Sequence, residues 1–435
     1  MAKSFSSKSG AFWRADWFAG VSIVVAVIVL NLATDFIGTL ERRFYDFAST
    51  STSRQPSDRI AVIAIDDQSI ANLGRWPWSR DIHAKLIDQL AAAKAKTIVH
   101  TVFFTEPQVD PGLVFIRKMK AALGASPEAA AANEPLNALI AEAERALDTD
   151  AILTASIKNA GNVLLPSVFA IGEQQGKPDK ALPDFALKSA LDDPTNFSIS
   201  ATGAQEPIDS LGNVASGVGH LNQSSDPVDG AVREEALMVN FYGKAVPSMA
   251  LLGAAKSLNL SVADIRLIPG QAVQIGKLRV STDEIAKMRP QFYKGKDGRP
   301  AFAVDSFYDV LSGKISASKY AGKVVVIGAT AVGVGTQFPV PGNPALSPAE
   351  SIAHITSSIL QEHFIVQPGW STLATTGLFF LVAAYVIAVL PRLSAGMAAS
   401  TTLVLFVPLL VLEFGLLSAS ATWVDVVLPA TLLVL

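Results

Sequence analysis

Apolar residues gather in four long blocks: Trp17–Ile37, Gly369–Leu390, Gly396–Gly415 and Ser420–Leu435. A helix needs about 20 mostly apolar residues to cross a bilayer. The pattern therefore predicts membrane helices at 17–37, 369–390, 396–415 and 420–435. The fourth run ends at Leu435 with no polar cap and no basic flank, so the expectation is an incomplete helix with an output domain following it.

Between the first two blocks, residues 38–367 carry globular periodicities. Arg59–Asp67 is a short β-rich run that ends in acids, which predicts a buried strand. Ile82, Leu86, Ile87 and Leu90 share one face of a helix over 82–94. Lys96–Phe104 predicts a second strand, and strand–helix–strand over about 45 residues implies parallel pairing. Further strands are predicted at Gly161–Leu165, Leu237–Phe241 and Lys323–Gly328, with helices over Ala151–Lys158 and Ser347–Glu362. Pro111–Leu147 is Ala-rich and helix-prone, with Leu136, Leu139, Ile140, Ala143 and Leu147 on one face. Gln174–Ser210, rich in Asp, Pro, Gly and Ser, predicts mostly loop. The fold class expected is an α/β extracytoplasmic domain with a central mixed, largely parallel sheet, plus four transmembrane helices.

Charge orients this layout. Lys3, Lys8 and Arg14 precede the first block and favour a cytoplasmic N-terminus, 1–16, with Trp13 and Trp17 as an interfacial belt. A cleaved signal peptide with Ser22–Ala33 as its apolar part is the alternative. Both readings place 38–367 beyond the membrane. Glu413 and Asp425 read either as intramembrane functional charges or as interfacial residues flanking a tight loop at Ser418–Thr422.

Composition narrows the function. Hydrophobic residues make up 50% and charged residues 17% of the 435, too apolar for an ordinary soluble protein. The net charge is −3 with no long basic run, which argues against nucleic acid as a partner. Zero cysteines exclude disulfides and thiolate metal sites. The five His residues (His83, His100, His220, His354, His363) are scattered, so no metal site assembles from spacing. No nucleotide loop, zinc-protease or nucleophile-elbow motif is present; the expectation is no catalytic residue and no cofactor.

Two clusters carry candidate ligand chemistry. Asp66 and Asp67 would sit at a strand's carboxyl end, where α/β sheets take ligands. Trp76-Pro77-Trp78 follows as a rigid apolar platform, and Arg80 offers a fork for an anion. The alternative has both Trp packed over the sheet while Arg80 pairs with Asp66 or Asp67. In the second cluster, Asp226, Asp229 and Arg233 flank a Gly turn. The spacing lacks the closing Glu of a calcium loop, and a side-chain-stabilised turn is the alternative.

Together these motifs resemble the CHASE2 sensor domain of bacterial transmembrane receptors. The resemblance rests on Ile65-Asp66-Asp67-Gln68-Ser69-Ile70, Leu73–Arg80 with its Trp-Pro-Trp-x-Arg core, Phe104-Thr105-Glu106-Pro107, Gly219-His220-Leu221-Asn222, Asp226–Arg233, Val246-Pro247-Ser248 and Gly322–Thr330. They stand in family order over about 40–365. The chain departs from the family pattern at His100–Phe104, which has no Asp before the Phe, at Thr336 where an Asp is common, and at Ala353-His354, where the order is reversed. Pro111–Leu147 reads as a helical insertion, which points to a partner surface.

The resemblance implies a sensory input domain in a bacterial inner membrane, its main domain periplasmic. It would relay a small, unidentified ligand's signal to an adenylate cyclase or a kinase beyond Leu435, as a homodimer or with other envelope proteins. One alternative is a CHASE2-like structural subunit of an envelope complex with no output enzyme. A weaker one is a periplasmic enzyme using Asp66, Asp67 and Arg80.

Overall fold

The computed structural model describes residues 16–124, 134–295 and 299–435. The expectations resting on Lys3, Lys8, Trp13 and Arg14, and the middle of the 111–147 insertion, lie outside the described residues. The chain divides into two compact units: 16–53 with Ile365–Leu435, and Arg54–Phe364.

The second unit is built on a ten-stranded sheet. Its strands are β1 (Ile60–Ile65), β2 (Thr97–His100), β3 (Val163–Ile171), β4 (Leu191–Asp192), β5 (Ile199–Gln205), β6 (Gly217–His220), β7 (Met238–Phe241), β8 (Lys244–Pro247), β9 (Ala303–Ser306) and β10 (Val324–Ala329). The order is β9-β1-β10-β2-β3-β5-β7-β8-β4, with β6 paired to β3. Strands β9, β1, β10, β2, β3 and β6 run parallel. Strand β3 then continues past its parallel partners and pairs antiparallel with β5, so one long strand joins the two halves of the sheet.

The parallel strands are apolar without alternation because helices cover both faces. Ile63, Ile65, Ile98, Leu165 and Ile327 face one core, against helices Arg80–Ala92 and Thr149–Ala160. Ile60, Val62, Val99, Leu164 and Val326 face the other, against Met249–Ser257 and Pro348–Gln361. The Gln174–Ser210 stretch holds more structure than its composition predicts. Asp193 accepts from the amides of Phe197 and Ser198 at 3.1 Å and from the Asn240 amide at 3.1 Å, which fixes the chain leading into β5. The predicted insertion contains two helices, Pro111–Gly124 and Glu134–Leu147, packed on each other, with Leu113 and Ile140 buried.

Among the described residues of the first unit, three helices are long and apolar enough to cross a membrane: Asp16–Ala33, Ser371–Arg392 and Ala395–Ser420. At 1.5 Å per residue they span about 27, 33 and 39 Å. Gly20 lets the first approach the second closely, since a Cβ there would meet the Val386 carbonyl at 2.9 Å.

Two span expectations need correcting. The first block does not continue to Ile37. It breaks at Thr34-Asp35, because the Asp35 carboxylate accepts from the Thr39 hydroxyl at 2.9 Å and pairs with Arg42, starting a separate helix, Phe36–Thr50. That helix is amphipathic and buries Ile37, Glu41, Tyr45 and Ala48 along one stripe.

The fourth block is not helical from Ser420: its helix starts only at Val427, and 421–426 are non-helical, so three candidate spans are seen among the described residues rather than four. The residues before it spend their backbone groups elsewhere. Val366 N–H donates to the Ala421 carbonyl at 2.8 Å, and Trp423 N–H donates to the Val366 carbonyl at 2.9 Å. Ala421 takes the left-handed conformation, which ends the preceding helix.

Candidate functional site

The parallel strands release their loops at one edge, and a hollow of 480 Å³ opens there. Thr101, Val102 and Phe103 come from the end of β2, Leu221 and Gln223 from beyond β6, and Val334, Gly335 and Thr336 from the loop after β10. Trp76 and Pro77, joined by a cis bond, close one side, and Pro348 at the start of a helix closes another. None of the lining side chains is ionisable. Two glycines shape the wall: Gly333 takes a φ of +82°, and a Cβ on Gly335 would meet the Ala329 carbonyl at 2.7 Å. A second hollow of 340 Å³ shares Trp76, Pro77, Val102 and Phe103 and extends towards Arg80.

The residues singled out from sequence fall into separate places. Asp66 is at the carboxyl end of β1, as expected, but it caps the Asp67–Leu73 helix. It accepts from the Ser69 amide at 2.8 Å, the Ser69 hydroxyl at 2.5 Å and the Ser306 hydroxyl at 2.9 Å. Asp67 is exposed in that helix's first turn. Trp78 is buried, donates its indole N–H to the Gly74 carbonyl at 2.9 Å and packs on Phe307 with ring centroids 5.0 Å apart. Trp76 is half-buried and borders both hollows.

Arg80 pairs with neither Asp66 nor Asp67. It bridges Asp150 and the Glu106 carbonyl, with its guanidinium 5.2 Å from the Phe104 ring. Gln108 joins this network: its amide N–H donates to Asp150 at 3.1 Å, and its side-chain oxygen accepts from the Arg80 N–H at 2.9 Å.

Asp226, Asp229 and Arg233 form a closed turn. Asp226 accepts from the Val228 amide at 2.8 Å, Asp229 accepts from the Ala231 amide at 3.0 Å, and Arg233 pairs with Asp229 at 2.7 Å. Neither hollow includes them.

Sequence spacing missed a histidine pair. His83 on the Arg80–Ala92 helix and His100 at the end of β2 face each other, Nδ1 to Nε2, at 3.2 Å. Trp76, Trp78, Phe104 and Phe307 surround His83 with ring centroids between 5.4 and 6.1 Å away. One available signal was that His83 shares the inward helix face of Leu86, Ile87 and Leu90. Burial, then the nearby Arg80 charge, lowers the His83 pKa to about 3; burial, then His83, lowers that of His100 well below its ordinary value. Both rings are therefore neutral at pH 7, one donating to the other. No group of three or more metal-ligating side chains occurs among the described residues.

A pH dependence follows. A histidine kept neutral in the folded unit stabilises it fully above the unfolded pKa of about 6.5, and that stability is lost as pH falls towards the folded value. Acid should therefore unfold the 54–364 unit progressively below about pH 6.5. Replacing His83 and His100 by Gln should flatten that slope in urea titrations of the intact chain. Burial lowers His220 and His354 to about 3 as well, so a residual slope should remain. A slope identical to wild type would refute the assignment.

The profile of the CHASE2 domain family matches residues 22–390, most of the chain. The chain belongs to the CHASE2 family. CHASE2 domains are sensory extracytoplasmic domains, so a sensor role and the membrane helices go together here. No curated protein and no solved structure matches the chain. In this CHASE2 chain the Trp-Pro-Trp-x-Arg core divides: Trp76 and Pro77 wall the hollows, whereas Trp78 and Arg80 hold the structure behind them.

Proposed function

We propose that this CHASE2 chain is the sensory input of a membrane-bound signalling receptor. In this reading the 54–364 unit lies in the periplasm of a bacterial cell and takes a small ligand in the 480 Å³ hollow. The helices pass the change to a cytoplasmic output domain such as a nucleotide cyclase or a kinase, in a homodimer. The observation that carries the reading is the hollow's place and lining: it opens at the carboxyl ends of parallel strands, and its walls hold no ionisable side chain.

The same lining defines the ligand's chemistry. Moving an unpaired charge out of water costs several kcal/mol, and nothing on these walls offsets it. The fitting ligand is neutral and mostly apolar, with one or two hydroxyl or amide groups for Thr336 and Gln223. The reading moves the ligand away from Asp66 and Arg80, whose polar atoms serve the fold, from Asp67, which lines neither hollow, and from the Asp226–Arg233 turn.

A second reading, a subunit of an envelope complex, draws on the helical insertion. Phe115 and Leu139 are 64% and 62% exposed there, an apolar surface suited to another protein.

Thermal unfolding of the intact chain with a panel of neutral and anionic small molecules tests the first reading. Neutral compounds should raise the midpoint by several degrees, and Val334→Trp, which fills the hollow, should abolish the shift while Asp66→Asn keeps it. A shift lost in Asp66→Asn and kept in Val334→Trp would count against the reading. Signalling that needs Phe115 and Leu139 but not the hollow would favour the second.

A further inference from the structure

We propose that the membrane unit contains a buried proton-binding site formed by Glu41, Glu413 and Asp425. Three elements bring these carboxyls together: the Phe36–Thr50 helix, the Ala395–Gly415 helix and the non-helical segment before Val427. Glu413 is completely buried and Glu41 is 6% exposed. The Trp423 indole N–H donates to Glu41 Oε1 at 2.7 Å. Glu41 Oε2, both Glu413 oxygens and Asp425 Oδ1 are buried without a hydrogen-bond partner.

Among the described residues, no positively charged side chain acts on Glu41 or Glu413. The ionisable groups that act on Glu41 are Asp425 and Glu413, and those that act on Glu413 are Glu41 and Asp425, with the Val426 amide facing it. On the Phe36–Thr50 helix, Arg42 pairs with Asp35, Arg43 is exposed, and Tyr45 packs its ring on Trp423 at 5.2 Å. The segment Ser371–Ala384 contributes Thr375, whose hydroxyl donates to the Asp425 carbonyl at 2.7 Å. The Val427–Val434 helix and the Leu416–Ser420 turn contain no ionisable side chain.

Like charges at such close quarters cannot all ionise, and an unpaired buried carboxylate carries a heavy desolvation cost. Protons taken from solvent answer both problems. Each cancels one negative charge and converts an acceptor oxygen into an O–H donor for its neighbour. Burial first, and then Asp425 and Glu413, hold Glu41 well above the usual carboxylate range. A folded value raised in this way stabilises the protonated cluster at low pH, and the stabilisation is lost as pH rises through that value. Loss of the protons would push the Phe36–Thr50 helix away from Glu413. That helix leads the chain out of this unit, so proton occupancy sets the packing of a segment a sensor would have to move.

Infrared spectroscopy of the intact chain in neutral phosphatidylcholine vesicles tests the site. A protonated carboxyl gives a carbonyl band, separate from carboxylate bands, that shifts in D2O. Burial also raises Glu235 in the other unit, to about 8, so it contributes to this band near neutrality. The decisive signal is the band that survives at about pH 9, where Glu235 is ionised. It should be present in wild type, lost in Glu41→Gln, and reduced in Glu413→Gln and Asp425→Asn. If a variant fails to fold, the wild-type pH titration still decides. A band that disappears with the ordinary carboxylates at about pH 4–5, or one untouched by all three substitutions, overturns the proposal.

Discussion

Arg80→Ala should destabilise the 54–364 unit by about 3–5 kcal/mol, enough to shift most of a marginal unit towards unfolding. The guanidinium is 7% exposed and its Asp150 partner 17%. Removing Arg80 strands a largely buried carboxylate and leaves the Glu106 carbonyl without its donor. It also removes the guanidinium's bridge between Glu106 and the Thr149–Ala160 helix, while the backbone N–H of residue 80 still donates to Gln108. Arg80→Lys should recover only part of the loss, because an ammonium cannot reach Asp150 and the Glu106 carbonyl in one planar fork. Urea unfolding of the intact chain, followed by hydrogen exchange of amides in β2 and Thr149–Ala160, gives the measurement. A change under about 1 kcal/mol would show that the pair is replaceable by water.

Trp78→Ala should cost about 3–5 kcal/mol, while Trp76→Ala, two residues away, should cost about 1 kcal/mol. Trp78 is 4% exposed, packed against Phe307 and anchored by its indole bond to Gly74, so its removal opens a cavity beneath the β1–β10 region of the sheet. Trp76 lies at the border of two open hollows, which water can refill. The two variants should also separate in binding. Trp76→Ala should weaken any ligand that stabilises the unit, and Trp78→Ala should lower stability with or without ligand. Equal stability losses in the two would mean that the division of this motif is wrong.

Much of the 54–364 unit was legible because its strands are short, continuous apolar runs. Ile60–Ile65 and Val324–Ala329 need two covered faces, and only an α/β sheet supplies them. The helix over Arg80–Ala92 followed from its 3.6-residue period. Less legible were partnerships between distant residues. Asp66 looked like a ligand group because it stands at a strand end, yet the same position is where a helix cap belongs, and Ser69 three residues on was the local sign. Asp150, the partner of Arg80, is 70 residues away, beyond the reach of any local pattern. The lining of the hollow is uncharged, so no acid or base along the chain marks it; its only local sign is that the departures at His100–Phe104 and Thr336 fall on its walls. In the membrane unit, hydropathy located three long helices but not where the fourth apolar block becomes helical. Apolarity sets preference for the bilayer, not backbone conformation, and the pairing of Val366 with the 421–423 loop decides the latter.

That pairing has a mechanical consequence. Tyr45 and Ala48, near the end of the Phe36–Thr50 helix, pack in one cluster with Ile365, Leu417 and Ala421, while Tyr45 meets Trp423 edge to face and Val366 exchanges backbone bonds with the same loop. The outgoing and returning passages of the chain are thus riveted to a single loop. A pull along one passage alone would have to shear the Val366 bonds, whereas a twist that carries both together leaves every one of them intact. The two passages are therefore held to move together rather than to slide past one another.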